Sequence, residues 1–424
     1  MQLSRPIKHL ATGIVAACAA STPLGSNILL PALAGATRDL HTTPTIMNLS
    51  IAFYCLAVAL TPLWWSTLSQ HKGCRNTFIV SFFLFIIFNI LAAVSNSAGM
   101  FIAMRLLAGA TSAPVQSLGA ATVAQLWSLD ERGRAMGIFL LGSMCGTVFG
   151  PIIGGALTTH WNWRSTQWFM AIYGFMIWLT VLLFLPETSR RPNNRDFSEG
   201  ESRNVLSRRI QALWSTLVAP IGLLRLLRFP PILLTILYTS VTFASYYSVM
   251  IVIQATFSTP PYSFNAMIVS LLYLPNGIGY GLAGTLGGRW NDRDMLAFNA
   301  WSAAIVYPLA VLCSGWASQE HAPWPVICVA NFFFAFGNMM VLSITTVMLT
   351  EFVPSQPSTG MALSNLVRNT FGAVACVVVQ PLINAIGVGW LLTITAVICL
   401  AGAPSLWFLQ RNANRWSAEM REIV

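Results

Sequence analysis

Two arginines stand inside long apolar segments of this sequence. Arg105 lies within residues 100–124 and Arg368 within residues 360–383, and neither segment contains another charged side chain. A guanidinium is always charged and presents a rigid fork of donors, so it recognises anions or carbonyl groups rather than exchanging protons. Because a charged side chain within hydrocarbon costs roughly 2.5–3.5 kcal/mol, each arginine is expected to face a polar cavity or a partner. For Arg368 two alternatives stay open, an anionic ligand and carbonyls at a helix interface.

Polar residues at helical spacing accompany both arginines. One stripe along the first segment consists of Arg105, Gly109, Ser112 and Gln116. Residues three or four apart share one face of a helix, so this stripe predicts an inward-facing side. In the second segment Asn365 and Asn369 flank Arg368. The alternative for Arg105 is a side chain that snorkels to the nearby end of its segment, which begins at Met100.

Residue types needed for other chemistry are absent from the apolar segments. All 13 Asp and Glu fall in predicted loops, termini or segment ends, so no carboxylate pair is available there for acid–base catalysis. The phosphate loop of ATP-driven pumps needs Gly-Lys, but the two lysines are Lys8, after Ile7, and Lys72, after His71. Neither H-E-x-x-H nor G-x-S-x-G occurs, and the eight cysteines show no metal spacing. We therefore expect no enzyme activity, no cofactor and no metal.

The composition predicts the elements that carry these residues. Of 424 residues 55% are hydrophobic and 8% charged, and the mean hydropathy is +0.66, values outside the range of a soluble domain. Residues 77–95 and 166–186 contain no charge and are long enough to cross the roughly 30 Å core of a bilayer. The sequence therefore predicts an all-α, polytopic membrane protein surrounded by lipid. The net charge of +10 does not indicate nucleic-acid binding, because no soluble domain is predicted that would carry a basic surface.

Twelve spans are predicted from the apolar runs and the breakers between them. They lie near residues 10–33, 45–65, 77–95, 100–124, 135–158, 166–186, 231–256, 265–287, 295–316, 325–348, 360–383 and 389–409. The polar stretch 187–229 divides six spans from six, which predicts an N-terminal bundle over residues 1–186, a cytosolic linker and a C-terminal bundle over residues 230–424. The N-terminal run also resembles a secretory signal peptide, but the distribution of charge favours a first span.

Basic residues are distributed unevenly between the two predicted sides. Of the 23 lysines and arginines, all but four fall in the termini and in the loops on one side of the bilayer. The exceptions are Arg38 and Arg164 on the other side and the two arginines within spans. Since cytosolic loops are enriched in Lys and Arg, both termini are predicted to lie in the cytosol.

Glycines and a proline interrupt the fifth span. Residues 146–155 read Gly-Thr-Val-Phe-Gly-Pro-Ile-Ile-Gly-Gly and contain Gly146, Gly150, Pro151, Gly154 and Gly155. Proline removes a backbone hydrogen bond and bends a helix, while glycines four residues apart let another helix approach closely. This pattern predicts a hinge, and the alternative is a static packing interface. The pattern G-x-x-x-G-P-x-x-G-G resembles the antiporter motif of drug:proton antiporters in the major facilitator superfamily.

The loop between the second and third spans resembles the same family. Residues 66–75 lie where the family has G-x-L-x-D-x-x-G-R-[RK], with Gly73 and Arg75 matching and Gln70 in place of the Asp. The family's loop helps to hold the cytosolic side closed. The resemblance therefore implies a cytosolic gate at these three residues and at Asp292, which follows the eighth span, although the acidic residue of the family's charge pair is absent.

Other stretches extend the resemblance over nearly the whole chain. Arg105 and Gly109 match the family's R-x-x-x-G motif, which is associated with proton coupling. Residues 365–369 and 387–390 are similar to the fungal branch that includes quinidine-resistance and dityrosine transporters. On spans that line the cavity in this family, the resemblance implies further candidate substrate contacts at Asn27, Tyr246 and Asn276. The alternative is that these polar groups only bridge helices.

The resemblance implies a fold and a function. The fold is twelve helices in two six-helix bundles, and the function is alternating-access export of small organic molecules such as drugs or secondary metabolites. Export would be coupled to protons and carried out by a monomer in the plasma membrane. An uptake permease for a small nutrient is the alternative, and a transporter-shaped receptor is a remote one. Because no acid lies within a span, proton antiport rests on the resemblance alone, with a boundary group such as Asp39 or His9 as the candidate titrating residue.

Overall fold

The computed structural model describes residues 4–127, 129–187, 227–287, 293–352 and 357–423. Every regular element in these ranges is helical. A helix satisfies its backbone hydrogen bonds internally, which is the requirement for crossing a bilayer. The prediction of an all-α protein is therefore confirmed for the described part of the chain.

The described residues of the first half contain nine α-helices. They are α1 (Arg5–Asn27), α2 (Leu33–Asp39), α3 (Pro44–Leu60), α4 (Pro62–Lys72), α5 (Cys74–Ala93), α6 (Ala98–Ser112), α7 (Pro114–Leu126), α8 (Leu129–His160) and α9 (Arg164–Phe184). Proline opens α3, α4 and α7, because the first turn of a helix does not use the N–H that proline lacks. The second and fourth predicted spans are for this reason each divided into two consecutive helices.

The described residues of the second half contain six more helices. They are α10 (Pro230–Phe257), α11 (Ala266–Leu271), α12 (Leu274–Gly287), α13 (Arg293–Gln319), α14 (Trp324–Phe352) and α15 (Pro357–Ile423). The last is two helices that meet at Gly387, whose φ of 81° is not helical. That backbone conformation favours glycine, so Gly387 marks the turn between the eleventh and twelfth predicted spans.

The lengths of these helices fit twelve crossings. Within the described residues, nine stretches are long and apolar enough to span a membrane. One of them, Gly360–Ser405, includes the Gly387 turn and so holds two crossings. Pro44–Leu60 is a shorter apolar helix that α4 continues, and α13 has 27 residues. The total agrees with the predicted number of spans.

Polar contacts identify the two ends of the N-terminal bundle. At the end that holds the start of α1, Arg5 lies 3.2 Å from Glu131 at the start of α8. At the opposite end Arg164, which begins α9, pairs with Asp39 and donates to the Ser95 carbonyl at 3.1 Å. We call these the terminal end and the distal end.

The buried apolar side chains show where the two bundles are joined. One cluster lies in the terminal and middle parts of the N-terminal bundle and includes Val15, Phe78 and Phe139. The other runs through the C-terminal bundle and takes in the distal part of the N-terminal bundle, including Met47 and Trp163. The two bundles therefore share an apolar core at the distal end, and this core holds them together there.

Candidate functional site

The glycines of the fifth span pack against α1. A Cβ atom added at Gly142, Gly146 or Gly154 would lie 2.0, 2.4 or 2.0 Å from the carbonyl oxygens of Ala16, Ala20 and Ile28. At Gly150 the nearest atom would be Asn27 Cβ at 3.1 Å. Only glycine permits such close backbone approach, and α8 continues as a helix through Pro151. The structure thus shows the close packing of the alternative interpretation, while the hinge stays a prediction.

Another face of α8 contacts the C-terminal bundle. A Cβ atom at Gly155 would lie 2.3 Å from the Ser270 side chain in α11. Further along, a Cβ atom at Gly277 of α12 would lie 3.3 Å from Val148 Cβ. The same helix therefore joins α1 within its own bundle and forms part of the interface between the bundles.

Arg105 lies inside the N-terminal bundle and is fully buried, with 0% exposure. Its Nη2 donates to the Gly25 carbonyl of α1 at 2.7 Å, and its guanidinium carbon lies 4.4 Å from the centre of the Tyr54 ring. A Cβ atom at Gly109 would lie 2.6 Å from the Tyr54 carbonyl, so the glycine lets α6 approach α3. Arg105 therefore ties α6 to α1 and α3, and the alternative of a snorkelling side chain is wrong.

Gln116 does not continue the Arg105 stripe on one helix. The helix that holds Arg105 ends at Ser112, and Pro114 begins the next. Proline cannot donate the hydrogen bond that a continuous helix needs at this point. The predicted span over residues 100–124 is present as the apolar stretch Ala98–Leu126, and Pro114 interrupts the helical hydrogen bonding within it. The Gln116 side-chain carbonyl is buried and has no hydrogen-bond partner among the described residues.

Four aromatic side chains form a cluster between the bundles. These are Phe243, Tyr246, Tyr247 and Tyr280, which we call the aromatic cluster. The Tyr246 hydroxyl donates to the Asn27 side-chain carbonyl of the N-terminal bundle at 3.1 Å. The Cys55 thiol of the same bundle donates to the Tyr247 hydroxyl at 3.1 Å. Asn27 and Tyr246, both predicted as substrate contacts, thus meet at the interface.

A small cavity lies beside the aromatic cluster. Its lining consists of Thr147, Pro151, Tyr246, Met250, Tyr273, Asn276, Gly277 and Tyr280. Its volume of about 10 Å³ has room for roughly one water molecule. Residues from both bundles contribute to the lining, and three of them, Pro151, Tyr246 and Asn276, are among the predicted site residues.

Asn276 is the unusual member of this lining. Its side chain is 2% exposed, and neither its amide nitrogen nor its amide oxygen has a hydrogen-bond partner among the described residues. Leaving a buried polar group unpaired costs roughly 1–3 kcal/mol. An amide in this position offers both a donor and an acceptor to whatever enters the cavity.

Asn338 supports the cavity wall, and the sequence analysis did not identify it. It accepts from the Tyr280 hydroxyl at 2.8 Å and donates to the Thr242 carbonyl at 2.9 Å and to Ser245 Oγ at 3.3 Å. This network fixes the orientation of the Tyr280 ring. The one sequence signal was an asparagine in the middle of the predicted span 325–348.

Arg368 approaches the same cluster from α15. Its Nη2 donates to the Asn365 side-chain carbonyl at 2.6 Å, and its guanidinium carbon lies 4.8 Å from the centre of the Phe243 ring. Its Nε is buried and has no hydrogen-bond partner among the described residues. Asn369 instead donates to the Asn365 carbonyl of its own helix at 2.9 Å. The described contacts of Arg368 thus include a ring and an amide but no backbone carbonyl.

The predicted cytosolic gate is described only in part. Gly73 has a φ of 88°, and a Cβ atom there would lie 2.6 Å from a Glu187 carboxylate oxygen. The Arg75 Nη2 donates to the Leu182 carbonyl at 2.7 Å. These contacts reach the end of α9, within the N-terminal bundle. Asp292 and the Gln70 side chain lie outside the described residues, so a gate between the bundles stays a prediction.

The chemistry offered by the interface is that of binding. Hydroxyls, an amide and aromatic rings line the cavity, and its described lining includes no carboxylate. The Arg368 guanidinium lies over Phe243 of the adjoining aromatic cluster. Among the described residues no group of three or more His, Cys, Asp or Glu is arranged to hold a metal ion. Such a lining orients a small molecule through hydrogen bonds, ring contacts and charge.

Comparison with known proteins identifies the family to which the chain is similar. Residues 15–375 match the family model for the Major Facilitator Superfamily. The MFS transporter OpS2 of Beauveria bassiana is 41% identical over 346 residues, which cover 74% of this chain and 99% of that protein. The MFS antiporter QDR3 of Candida albicans is 29% identical, with coverage of 96% of this chain and 78% of that protein.

A solved structure agrees with the fold. The crystal structure of the human organic anion transporter MFSD10 superposes with a TM-score of 0.68 and 18% sequence identity, covering 94% of this chain and 99% of that one. The family match and these relatives are transporters rather than enzymes, and the many apolar helices make the chain a multi-pass membrane protein. The chain belongs to the Major Facilitator Superfamily.

Proposed function

We propose that this protein is an alternating-access transporter that exports small organic molecules through the interface between its two bundles. The N-terminal bundle comprises residues 1–186 and the C-terminal bundle residues 230–424, with a cytosolic linker between them. Six-span repeats that rock about a central site are the general plan of this fold. The substrate contacts are the predicted residues at the interface, together with Tyr280.

The observation that carries the proposal is the cavity beside the aromatic cluster. It receives side chains from both bundles and contains the unpaired amide of Asn276, but it has room for only about one water molecule. A drug-sized ligand needs several hundred cubic ångströms. The bundles must therefore separate before a substrate enters. Because the shared core seals the distal end, separation at the terminal end is the expected opening.

Export and proton antiport have separate support. The fifth-span motif resembles that of drug:proton antiporters, and one relative is named an antiporter. Arg105 matches a motif that the family associates with proton coupling, but a guanidinium does not itself titrate. In this proposal Arg105 holds α1 in place, and a boundary group such as Asp39 or His9 exchanges the proton.

The remaining assignments are also part of the proposal. Both termini lie in the cytosol, because the basic residues concentrate on that side. The terminal end of the structure is then the cytosolic end, and its opening admits substrate from the cytosol. The protein works as a monomer in the plasma membrane, with one substrate path between its own two bundles.

Transport by the purified full-length protein in liposomes tests the proposal. A panel of labelled small molecules is screened with a pH gradient imposed in each direction. We expect substrate flux opposite in direction to proton flux, with a loss of accumulation when the gradient is dissipated. Equal accumulation of substrate with and without the pH gradient would contradict proton antiport. Substrate and protons moving in the same direction would favour the uptake permease, and no flux of any compound would contradict transport.

A further inference from the structure

The predicted spans contain positive charge that no acidic residue within them balances. Arg105 and Arg368 both stand within predicted spans, whereas all 13 Asp and Glu fall in predicted loops, termini or span ends. The salt bridges among the described residues are Arg5 with Glu131 and Arg164 with Asp39, at the two ends of the N-terminal bundle. Buried cations without a counter-charge are costly, and an incoming anion relieves that cost.

The two arginines differ in what their donors already bind. Arg105 is completely buried, donates to the Gly25 carbonyl and lies against Tyr54, so it is part of the packing of its bundle. Arg368 is only partly buried, and its one described hydrogen bond is to Asn365, three residues away on the same helix. An Arg fork pairs most strongly with a planar carboxylate. Both arginines keep buried nitrogens without a partner among the described residues, Nε and Nη1 in Arg105 and Nε in Arg368. Only Arg368 is partly exposed and lies beside the interface, so it is the arginine that a ligand can reach.

A continuous series of contacts connects Arg368 to the cavity. Its guanidinium lies over Phe243, whose ring centre is 6.0 Å from that of Tyr246 in a stacked arrangement. Tyr246 lines the cavity, and its ring centre lies 5.7 Å from that of Tyr280, which also lines it. Flat aromatic faces beside a cation favour a ligand with a planar unsaturated body.

Asn276 provides a second polar contact, in the cavity lining that it shares with Tyr246 and Tyr280. Its amide N–H donors and its carbonyl are unpaired among the described residues, and it faces the space between α8 and α12. A neutral oxygen or hydroxyl on the body of the ligand would satisfy it. The site thus combines a cation, aromatic rings and an unpaired amide.

We infer that the substrates of this protein are organic anions: a carboxylate or similarly delocalised anionic group that pairs with Arg368, attached to a planar unsaturated body that lies on the aromatic cluster. This inference rests on the proposed function and names the substrate class of the same site. A cationic compound of the same shape is repelled by both arginines, since their fields add in a medium of low dielectric. A neutral compound of the same shape gains the ring contacts but not the charge.

Three compounds of one shape provide the test. They are 2-naphthoate, 2-naphthamide and 2-naphthylmethylammonium, which differ mainly in charge. Binding to the purified full-length protein is measured as a shift in thermal midpoint with ligand concentration, and flux is measured in liposomes. We expect the naphthoate to bind at least about tenfold more tightly than the amide and the cation to bind most weakly.

Variants connect that preference to Arg368. In Arg368→Gln the advantage of naphthoate over naphthamide disappears, while Arg368→Lys retains part of it because the charge stays and the fork is lost. Arg38→Gln is the matched control, since it removes the same charge from an exposed position outside the interface. The thermal midpoint of each unliganded variant shows whether it folds.

The outcomes separate this inference from the proposed function. Anion preference in the wild type that is lost in Arg368→Gln and kept in Arg38→Gln supports the inference. Equal or better binding of the amide or the cation, no binding of naphthoate, or a preference that survives in Arg368→Gln overturns it. In each of those cases the proposed function still stands if other compounds in the panel are transported, and it fails only if none is.

Discussion

The two bundles each contain one arginine within a span, and the comparison shows how surroundings decide the role of the same residue type. Arg105 is enclosed by α1, α3 and α6, with a carbonyl and a ring as its partners. Arg368 lies beside a ring at the interface and donates only to its own helix among the described contacts. Arg105 holds its bundle together, and we propose that Arg368 contacts the ligand.

Replacing Arg105 by Ala is expected to destabilise the protein most. The change empties a fully buried position, removes the hydrogen bond to Gly25 and leaves Tyr54 without its neighbour. Truncating a large, fully buried side chain costs about 3–5 kcal/mol. The measurement is the thermal midpoint of the purified protein in detergent, with Arg368→Ala as the matched control. A thermal midpoint that falls equally in both variants, or in neither, would contradict the claim that Arg105 stabilises the fold more than Arg368 does.

Gly154→Ala tests whether α1 is also held from its other side. A methyl group there would lie 2.0 Å from the Ile28 carbonyl, so α1 and α8 must separate. Overpacking of this kind costs about 1–3 kcal/mol. Gly137→Ala on the same helix is the control, because a Cβ atom there meets nothing within 4 Å. We expect a lower thermal midpoint in the first variant only, and equal midpoints would show that the glycine stripe is not required for packing.

Asn276→Ala should lower flux without lowering stability. The native amide is buried and unpaired, so its removal relieves a cost in the ligand-free protein while it deletes a ligand contact. The control is Asn331→Ala, which removes a buried asparagine that accepts from Ser314 Oγ at 2.9 Å. We expect an unchanged or higher thermal midpoint and reduced flux for the first variant, and a lower midpoint for the second. Unchanged flux in Asn276→Ala would remove that residue from the site.

Asp39→Asn is expected to have the smallest effect on stability. The substitution removes the ion pair with Arg164. Unlike Arg105 and Arg368, Arg164 has an acidic partner among the described residues, and it lies at the exposed distal end. Surface ion pairs contribute about 0–1 kcal/mol. The thermal midpoint should therefore change much less than in Arg105→Ala. A drop as large as that of Arg105→Ala would mean that an acidic partner, rather than burial, determines which arginine matters.

The sequence predicted the helices well because a segment that crosses a bilayer must be apolar over its whole length, and such a run is easily identified. Long apolar runs, breaking residues and the placement of charge are local properties, and they identified the spans from residue 10 to residue 409. The spans did not show where proline would interrupt a helix. Pro114 divides the predicted fourth span into two helices, and Pro62 does the same for the second. Apolar composition does not register such a break, because the residues on both sides remain hydrophobic.

The site was harder to predict because its contacts join distant parts of the chain. Arg105 was conspicuous as a charge, but its partner Tyr54 is one tyrosine in an apolar helix 51 residues earlier. Asn338 supports Tyr280 across 58 residues of sequence. In the sequence, Tyr54 and Asn338 have the same residue types and spacing as residues that only pack one helix against another. The structure brings Asn27, Tyr246 and Asn276 to one interface, and a transport measurement must establish that they bind substrate.

In the proposed mechanism, transport requires the two bundles to move relative to each other about the interface cavity. A reversible cross-link tests that motion directly. A Cβ atom at Gly277 would lie 3.3 Å from Val148 Cβ, close to the separation that a disulfide requires. In Val148→Cys/Gly277→Cys, flux in liposomes is measured before oxidation, after oxidation and after reduction, with each single variant as a control. We predict that flux stops in the oxidised double variant and returns on reduction. Undiminished flux in fully cross-linked protein would contradict alternating access through this interface.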